Sequence, residues 1–347
     1  MDFLSSFVSK PEAEYSLHSS WMGRHPRVLV TGGCGFIGSH LVERLVSLGA
    51  RVSVLDNMQS GDLAHLEAVR DVVHMVEGDV RNASLVARLV TETAPQLVFH
   101  LAANASVPGS VENPAYDFET NCQGTFVLLD ALRKVGTCEK FVLASSGAVY
   151  GEPIRFPICE ADLLAPISPY GASKFAAETE ARMFGLVYGM PVVIARIFNV
   201  YGPRMSRFVI FDFLNKLKAD SSFLEVLGTG KQVRDFTFVS DTVDGLLTLG
   251  VAGQAGEAYN VSSGVSYSVT ELAHAILNML DLVGKTQIVY TGRSWAGDAQ
   301  HWEVNIQKMG ALGYRPKVSL SCGLEATIDW FESMPTALPH SLNRKAS

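Results

Sequence analysis

Long apolar runs, basic clusters and paired cysteines are all missing from this chain. No stretch approaches the roughly 20 consecutive apolar residues that span a bilayer, so no membrane-crossing helix is expected. There is no run of Lys or Arg and the formal net charge is −7. Nucleic acid, which needs clustered positive charge against its phosphates, is not an expected partner. The five cysteines, Cys34, Cys122, Cys138, Cys159 and Cys322, make no CxxC pair. Neither a disulfide framework nor a structural zinc site is expected, and a reduced, cytoplasmic setting is. The nine histidines show no metal-ligand spacing, so no metal is expected. Before Pro26 there is no basic stretch leading into a long apolar one, which speaks against a signal peptide. Residues 1–25 read instead as a loosely structured extension that could dock through Phe3, Leu4, Phe7 and Trp21.

What is present is apolar and periodic. Of 347 residues, 48% are hydrophobic and 18% charged, enough for a large core in one large or two joined domains. Nearly continuous apolar runs predict strands over 27–31, 51–56, 72–77, 97–101, 140–145 and 191–196. Such runs mark strands buried on both faces of a parallel sheet. Between the first two, Ile37, Leu41, Val42, Leu45 and Leu48 recur at helical spacing. Strand, helix, strand at short intervals predicts an α/β fold with a doubly wound parallel sheet. After Arg196 the rhythm breaks at Asn199-Val-Tyr-Gly-Pro203, and helices are expected over 208–217 and 269–282 in a smaller C-terminal α/β lobe.

The first strand runs into Thr31-Gly-Gly-Cys-Gly-Phe-Ile-Gly38, which opens the first helix. Glycines at 32, 35 and 38 permit a tight turn, close backbone approach to a pyrophosphate, and close helix–strand packing. The helix N-terminus offers free N–H groups to the phosphates. Asp56 ends the second strand, where a carboxylate can accept from an adenosine ribose diol and would repel a 2′-phosphate. No Arg follows within residues 57–61, so NAD is favoured over NADP. Asp79, ending the third strand in Gly78-Asp-Val-Arg81, is a candidate for the adenine edge or an ordinary strand-end turn.

Tyr170-Gly-Ala-Ser-Lys174 begins a helix after Ser168-Pro169, which puts phenol and ammonium on one helix face. A tyrosine is a poor base at neutral pH, and a nearby Lys⁺ would stabilise its phenolate. Ser146 ends the fifth predicted strand, at the sheet edge where ligands bind in open α/β sheets.

These elements together resemble the extended short-chain dehydrogenase/reductases, the NAD-dependent sugar epimerase/dehydratase family, over about Arg27 to Phe331. Matching stretches include His100-Leu-Ala-Ala-Asn-Ala-Ser-Val107, Ser145-Ser-Gly-Ala-Val-Tyr-Gly151, Pro169-Tyr-Gly-Ala-Ser-Lys174, Arg196-Ile-Phe-Asn-Val-Tyr-Gly-Pro203 and Arg234-Asp-Phe-Thr-Phe-Val-Ser-Asp241. The resemblance implies a Rossmann domain over 26–200 with a returning segment at about 231–262, a nucleotide-sugar lobe over 201–336, and a tail over 337–347. It makes Gly32, Gly35, Phe36, Ile37 and Gly38 the pyrophosphate loop and Asp56 with Asn57 the ribose anchor. It sets Asp79 and Val80 beside the adenine, and Leu101, Ala102 and Ala103 along the cofactor. Ser146, Tyr170 and Lys174 become the catalytic trio. Asn199 and Arg234 become holders of a substrate diphosphate, Asp298 meets the nucleotide's ribose, and Trp302 stands beside the sugar. Many relatives carry an Arg two residues before a Gly-Asp pair; here Trp295-Ala296 precedes Gly297-Asp298, and Arg293 is the nearest stand-in. A nucleotide-diphosphate sugar, with a UDP-sugar favoured, is the implied substrate, and a homodimer the implied assembly.

Oxidation at sugar C4 is the family's common first step. Relatives that go on to dehydrate or decarboxylate the sugar place an acidic residue just after the strand-end serine, where this chain has Gly147 and Ala148. That leaves 4-epimerisation as the favoured reaction. Dehydration, decarboxylation, reduction, epimerisation at another carbon and a non-catalytic NAD-binding regulator stand as alternatives.

Overall fold

The six apolar runs and one further strand form one sheet. In the computed structural model, which describes residues 25–295 and 297–334, the first six strands are β1 (Arg27–Thr31), β2 (Arg51–Asp56), β3 (His74–Glu77), β4 (Leu97–His100), β5 (Lys140–Ser146) and β6 (Val192–Ile197). With β10 (Ala258–Val261) they make a seven-stranded sheet in the order β10-β6-β5-β4-β1-β2-β3, and every pairing is parallel. The docking residues expected before His25 and the expected 337–347 tail lie outside the described residues.

The chain leaves β1 towards β2 on one side and later returns to place β4 on the other. A crevice opens above such a reversal, at the carboxyl ends of the strands. Its floor is fixed by side chains that end those two strands: Thr31 Oγ1 lies 2.6 Å from His100 Nδ1, and Thr125 Oγ1 lies 3.0 Å from His100 Nε2. Buried completely, His100 is held neutral, with its pKa lowered to about 3 by desolvation and then by the nearby Lys174 charge.

Two elements differ from the sequence expectation. The third strand begins at His74 because Leu63–Val72 coils into a 3-10 helix capped by Asp62. It is an edge strand with exposed ends, so the apolar pair Val72-Val73 has no sheet to enter, and Asp79 lies beyond the strand rather than at its end. The returning segment begins later than 231: Val233–Phe238 (β9) pairs with Asn199–Tyr201 (β7) and Ser266–Ser268 (β11) in a separate three-stranded sheet, and Phe223–Val226 (β8) pairs with Gln287–Tyr290 (β12). The return is made by helix Val239–Ala252, which packs on the large sheet before β10. The two helices expected in the lobe run Val209–Ala219 and Val269–Met279, the second opened by a Ser268/Glu271 capping box.

Apolar cores fill both faces of the large sheet and the lobe. Through the layer that includes Ala177, Ala181 and Phe184 runs one buried ion pair. Arg196, in β6, donates from Nη2 to Glu178 Oε2 at 2.8 Å and from Nε to Oε1 at 3.0 Å. Ser145 of β5 donates to the same Oε1 at 2.5 Å, and Arg196 Nη1 donates to Tyr150 Oη at 2.8 Å. Tyr150 donates onward to Asn260 of β10 at 2.7 Å. Glu178 belongs to helix Pro169–Tyr188, so this network ties that helix to three strands at once. Removing one member strands the other charge in the interior, which typically costs about 3–5 kcal/mol, whereas replacing both by apolar groups is often nearly neutral. Glu178→Ala should therefore lower the urea midpoint severely, and Glu178→Leu combined with Arg196→Met should regain most of the loss. A single variant with a wild-type midpoint would show that the tie carries little stability.

Candidate active site

The crevice holds a cavity of about 540 Å³, within the usual range for a ligand site. One end is built by the glycine loop. A Cβ on Gly32, whose φ is +73°, would lie 2.7 Å from the Ala102 nitrogen, and one on Gly38 would lie 2.0 Å from the Gly32 carbonyl oxygen. The glycines thus let the loop pack tightly on itself and against Ala102 while lining the cavity. Helix Phe36–Ser47 starts there with no side chain capping its first N–H groups, which suits them to an anion. Gly32, Gly35, Phe36, Ile37, Gly38, Asp56, Asn57, Val80, Leu101, Ala102 and Ala103 all line this end. Asp56 is buried and oriented by the backbone N–H groups of Cys34 and Met58, each at 2.9 Å. No basic residue from 57–61 lines the wall. A backbone phosphate cradle followed by an oriented carboxylate fits the diphosphate and adenosine ribose of NAD.

Asp79 behaves differently from expectation. Its neighbours Gly78 and Val80 line the cavity and it does not. Arg81 donates from Nε to Oδ1 and from Nη2 to Oδ2, both at 2.9 Å, and Asn57 donates to Oδ2 at 3.1 Å. Those hydrogen bonds hold its pKa down at about 2. Both of its oxygens are thus engaged by side chains of the protein.

At the other end stands helix Pro169–Tyr188, capped by Ser168, which accepts from the Gly171 N–H at 3.1 Å. Tyr170 and Lys174, one turn apart, line the cavity with Ser146. Burial raises the Tyr170 phenol above its ordinary value, and a hydrogen bond with Ser146 and the charge of Arg207 pull it back. Lys174, 4% exposed, donates to the Ala144 carbonyl at 2.8 Å. Burial lowers its pKa to about 8, against the pull of Asp117 and Glu178. The sequence leads one to expect Lys174 to be the cation acting on the phenol. In the structure Lys174 is turned to a carbonyl and Arg207 is the cation felt by Tyr170.

The lobe closes the cavity with Asn199 and Trp302. Asn199 donates to the Asp235 carbonyl at 3.3 Å. Trp302 meets Phe198 edge-on at 5.6 Å and donates from its indole to the Gly151 carbonyl at 3.3 Å. Three residues expected on the substrate are not on the wall. Arg234 donates to Asp298 and to the Ala299 carbonyl, so the two expected contacts satisfy each other. Arg293 is exposed and away from the lining; its carbonyl accepts from the Gly228 N–H at 2.9 Å.

Two arginines missed by the sequence reading line the cavity instead, Arg204 and Arg207. Arg204 donates to Glu43 at 2.7 Å and to Ser39 at 3.2 Å, joining the lobe to the first helix. Arg207 stacks over the Phe208 ring at 5.2 Å. The available signal was position: both follow directly on Asn199-Val-Tyr-Gly-Pro203, where the chain turns back towards the sheet edge. Tyr116 and Gln59, hydrogen-bonded to each other, also line the cofactor end. Among the described residues no cluster of three metal-ligating side chains exists, and no helix is long and apolar enough to cross a membrane.

Comparison with known proteins bears on this geometry. Residues 29–326 match the GDP-mannose 4,6 dehydratase family. A UDP-glucose 4-epimerase of Mycolicibacterium smegmatis is 34% identical over 314 residues, covering 88% of this chain and 99% of that protein. The structure of a Thermotoga maritima UDP-glucose 4-epimerase with UDP-glucose superposes with a TM-score of 0.83 at 34% identity, over 88% of this chain and 98% of the other. A Streptomyces venezuelae dTDP-glucose 4,6-dehydratase with NAD and TYD bound gives 0.81 at 32% identity, over 88% and 97%. Fold, glycine loop and Ser146-Tyr170-Lys174 constellation agree with that likeness, and the chain belongs to the extended short-chain dehydrogenase/reductase family of NAD-dependent nucleotide-sugar epimerases and dehydratases.

Proposed function

We propose that the protein is an NAD-dependent 4-epimerase of a nucleotide-diphosphate hexose, with a UDP-sugar as substrate. One observation carries the choice over dehydration. Among the described residues, the cavity is lined by a single carboxylate, Asp56, and by no Glu, His or Cys. Asp56 lies at the glycine-loop end, held by two backbone N–H groups. Eliminating water from a keto sugar needs a base for a carbon-bound proton and an acid for the departing hydroxyl. The place next to Ser146 cannot supply them: a Cβ on Gly147 would lie 2.5 Å from the Phe198 ring, and Ala148 carries only a methyl. The same lack disfavours decarboxylation.

Bound NAD supplies the chemistry of taking a hydride from the sugar carbon and giving it back. The chain's own groups handle the proton. Tyr170 Oη takes it from the C4 hydroxyl and later returns it to the inverted oxygen. Ser146 Oγ, which lines the cavity with Tyr170, orients that oxygen in either configuration. Lys174 adds a positive charge under the site, and the apolar walls of Phe198, Trp302 and Ile197 keep water from the exposed carbonyl. No net redox change results, so retained cofactor serves turnover after turnover. Phe126, Phe175, Leu186 and Tyr188, exposed on two neighbouring helices, support a homodimer. The regulator reading would need no acid–base pair, and Tyr170 with Lys174 argues against it.

Tyr170→Phe should lose about 10²–10⁴-fold in kcat while keeping the fold and its NAD content. Retention of half the activity would remove Tyr170 from this role. Trp302 generates a second expectation. Its indole fills the lobe side of the cavity beside Phe198, where overlap with a 2-acetamido group would cost about 1–3 kcal/mol. Plain nucleotide hexoses should therefore be preferred, and Trp302→Ser should narrow the difference in kcat/KM. Equal handling of both sugars by the wild type would show that no such gate exists.

A further inference from the structure

One buried carboxylate near the site touches neither the cavity nor an arginine. Asp117, in helix Pro114–Phe118, is 0% exposed. Its Oδ2 accepts from Ser173 Oγ at 2.5 Å, and its Oδ1 accepts from Asn104 Nδ2 at 2.9 Å and Asn121 Nδ2 at 3.2 Å. Burial pushes the Asp117 carboxyl above its ordinary range, and the hydrogen bonds from Ser173, Asn104 and Asn121 together with the Lys174 charge pull it back. A charge so buried is costly without such partners. The network also closes on itself: Asn121 Oδ1 accepts from the Asn104 N–H at 2.8 Å, and Asn121 Nδ2 lies 2.9 Å from Ser173 Oγ. It touches the chemistry at two points. Asn104 lines the cavity, and Ser173 sits between Tyr170 and Lys174 on their helix, its hydroxyl 3.0 Å from the Tyr170 carbonyl.

We propose that Asp117 is a positioning residue for the catalytic pair, fixing the Tyr170–Lys174 turn through Ser173 and the adjoining wall through Asn104, and balancing the Lys174 ammonium. This rests on the reading of Tyr170 and Lys174 as catalytic. The charged surroundings agree with it. Lys174 is faced by Asp117, by Glu178 one turn along its own helix, and by the neutral His100 of β4. Tyr170 is faced by Asp117, by Arg207 from the lobe and by the Ser146 hydroxyl of β5. Asp117 and Glu178 favour the protonated Lys174, and Asp117 also favours the protonated phenol. Loss of the Asp117 charge should move both titrations to lower pH.

The test uses the full chain with the cofactor it carries on purification. Asp117→Asn keeps size and removes charge; Ser173→Ala keeps the charge and removes the tether. Tyrosinate absorbance is followed against pH without substrate, taking the transition that Tyr170→Phe abolishes as that of Tyr170. In Asp117→Asn it should fall by about one pH unit, a shift typical of losing a nearby charge. In Ser173→Ala it should stay in place, while kcat falls about tenfold and KM changes less than about threefold, as expected when alignment and not binding is lost. A Tyr170 transition unmoved in Asp117→Asn, or wild-type kcat in Ser173→Ala, would overturn the proposal. If Asp117→Asn does not fold, Ser173→Ala decides alone. A wild type inactive on every nucleotide sugar tried would defeat the epimerase reading, while the titration still judges Asp117.

Discussion

Tyr170 and Lys174 can act only if the helix bearing them is held against the carboxyl edge of the sheet. Two buried carboxylates hold it. Glu178 reaches down to Arg196 and Ser145, and Asp117 reaches across to Ser173. The first links the helix to β5, β6 and, through Tyr150 and Asn260, to β10. Each is costly to bury, and each is offset by hydrogen bonds that would be lost if the helix slid. Because i and i+4 share a helix face, placing Glu178 fixes Lys174, and Lys174 fixes Tyr170. The apolar layers give the sheet its stability, while these polar ties give the helix its place.

Burial then sets the chemistry. Burial makes both members of the proposed catalytic pair poor charge carriers, raising the phenol and lowering the ammonium. Other groups oppose burial without overcoming it: Ser146 and Arg207 lower the Tyr170 phenol while Asp117 raises it further, and Asp117 and Glu178 raise the Lys174 ammonium. The cavity's poverty in acids matters as much. With Gly147 pressed on Phe198 and Ala148 beside it, the proposed reaction has proton transfer confined to one oxygen of the sugar.

The parts legible in the sequence are those in which function depends on local spacing. Glycines 32, 35 and 38 dictate a loop wherever a strand meets a helix, Asp56 ends a strand visible as an apolar run, and Tyr170 and Lys174 share a helix turn. All of these line the cavity. Residues that reach the site across the fold left no such trace. Arg204 and Arg207 come from an aperiodic loop, and Asp117 looks like any acidic residue at a helix start until its three donors assemble around it. The pairing of Arg234 with Asp298 at 2.6 Å is likewise made across the fold, between residues far apart in the sequence. The edge strand β3 was misplaced because apolar runs lose their meaning where only one neighbour exists.

Confinement of proton transfer to oxygen is the central claim, and solvent isotope reads it directly. The protein is incubated in D₂O with UDP-glucose or UDP-galactose and no added cofactor, and the product is examined by NMR and mass spectrometry. The account predicts the C4 epimer at unchanged mass, with its carbon-bound hydrogens undiluted by deuterium. A product that has lost water, or one carrying deuterium on carbon, would contradict it, since either requires a second acid–base group that this cavity does not provide.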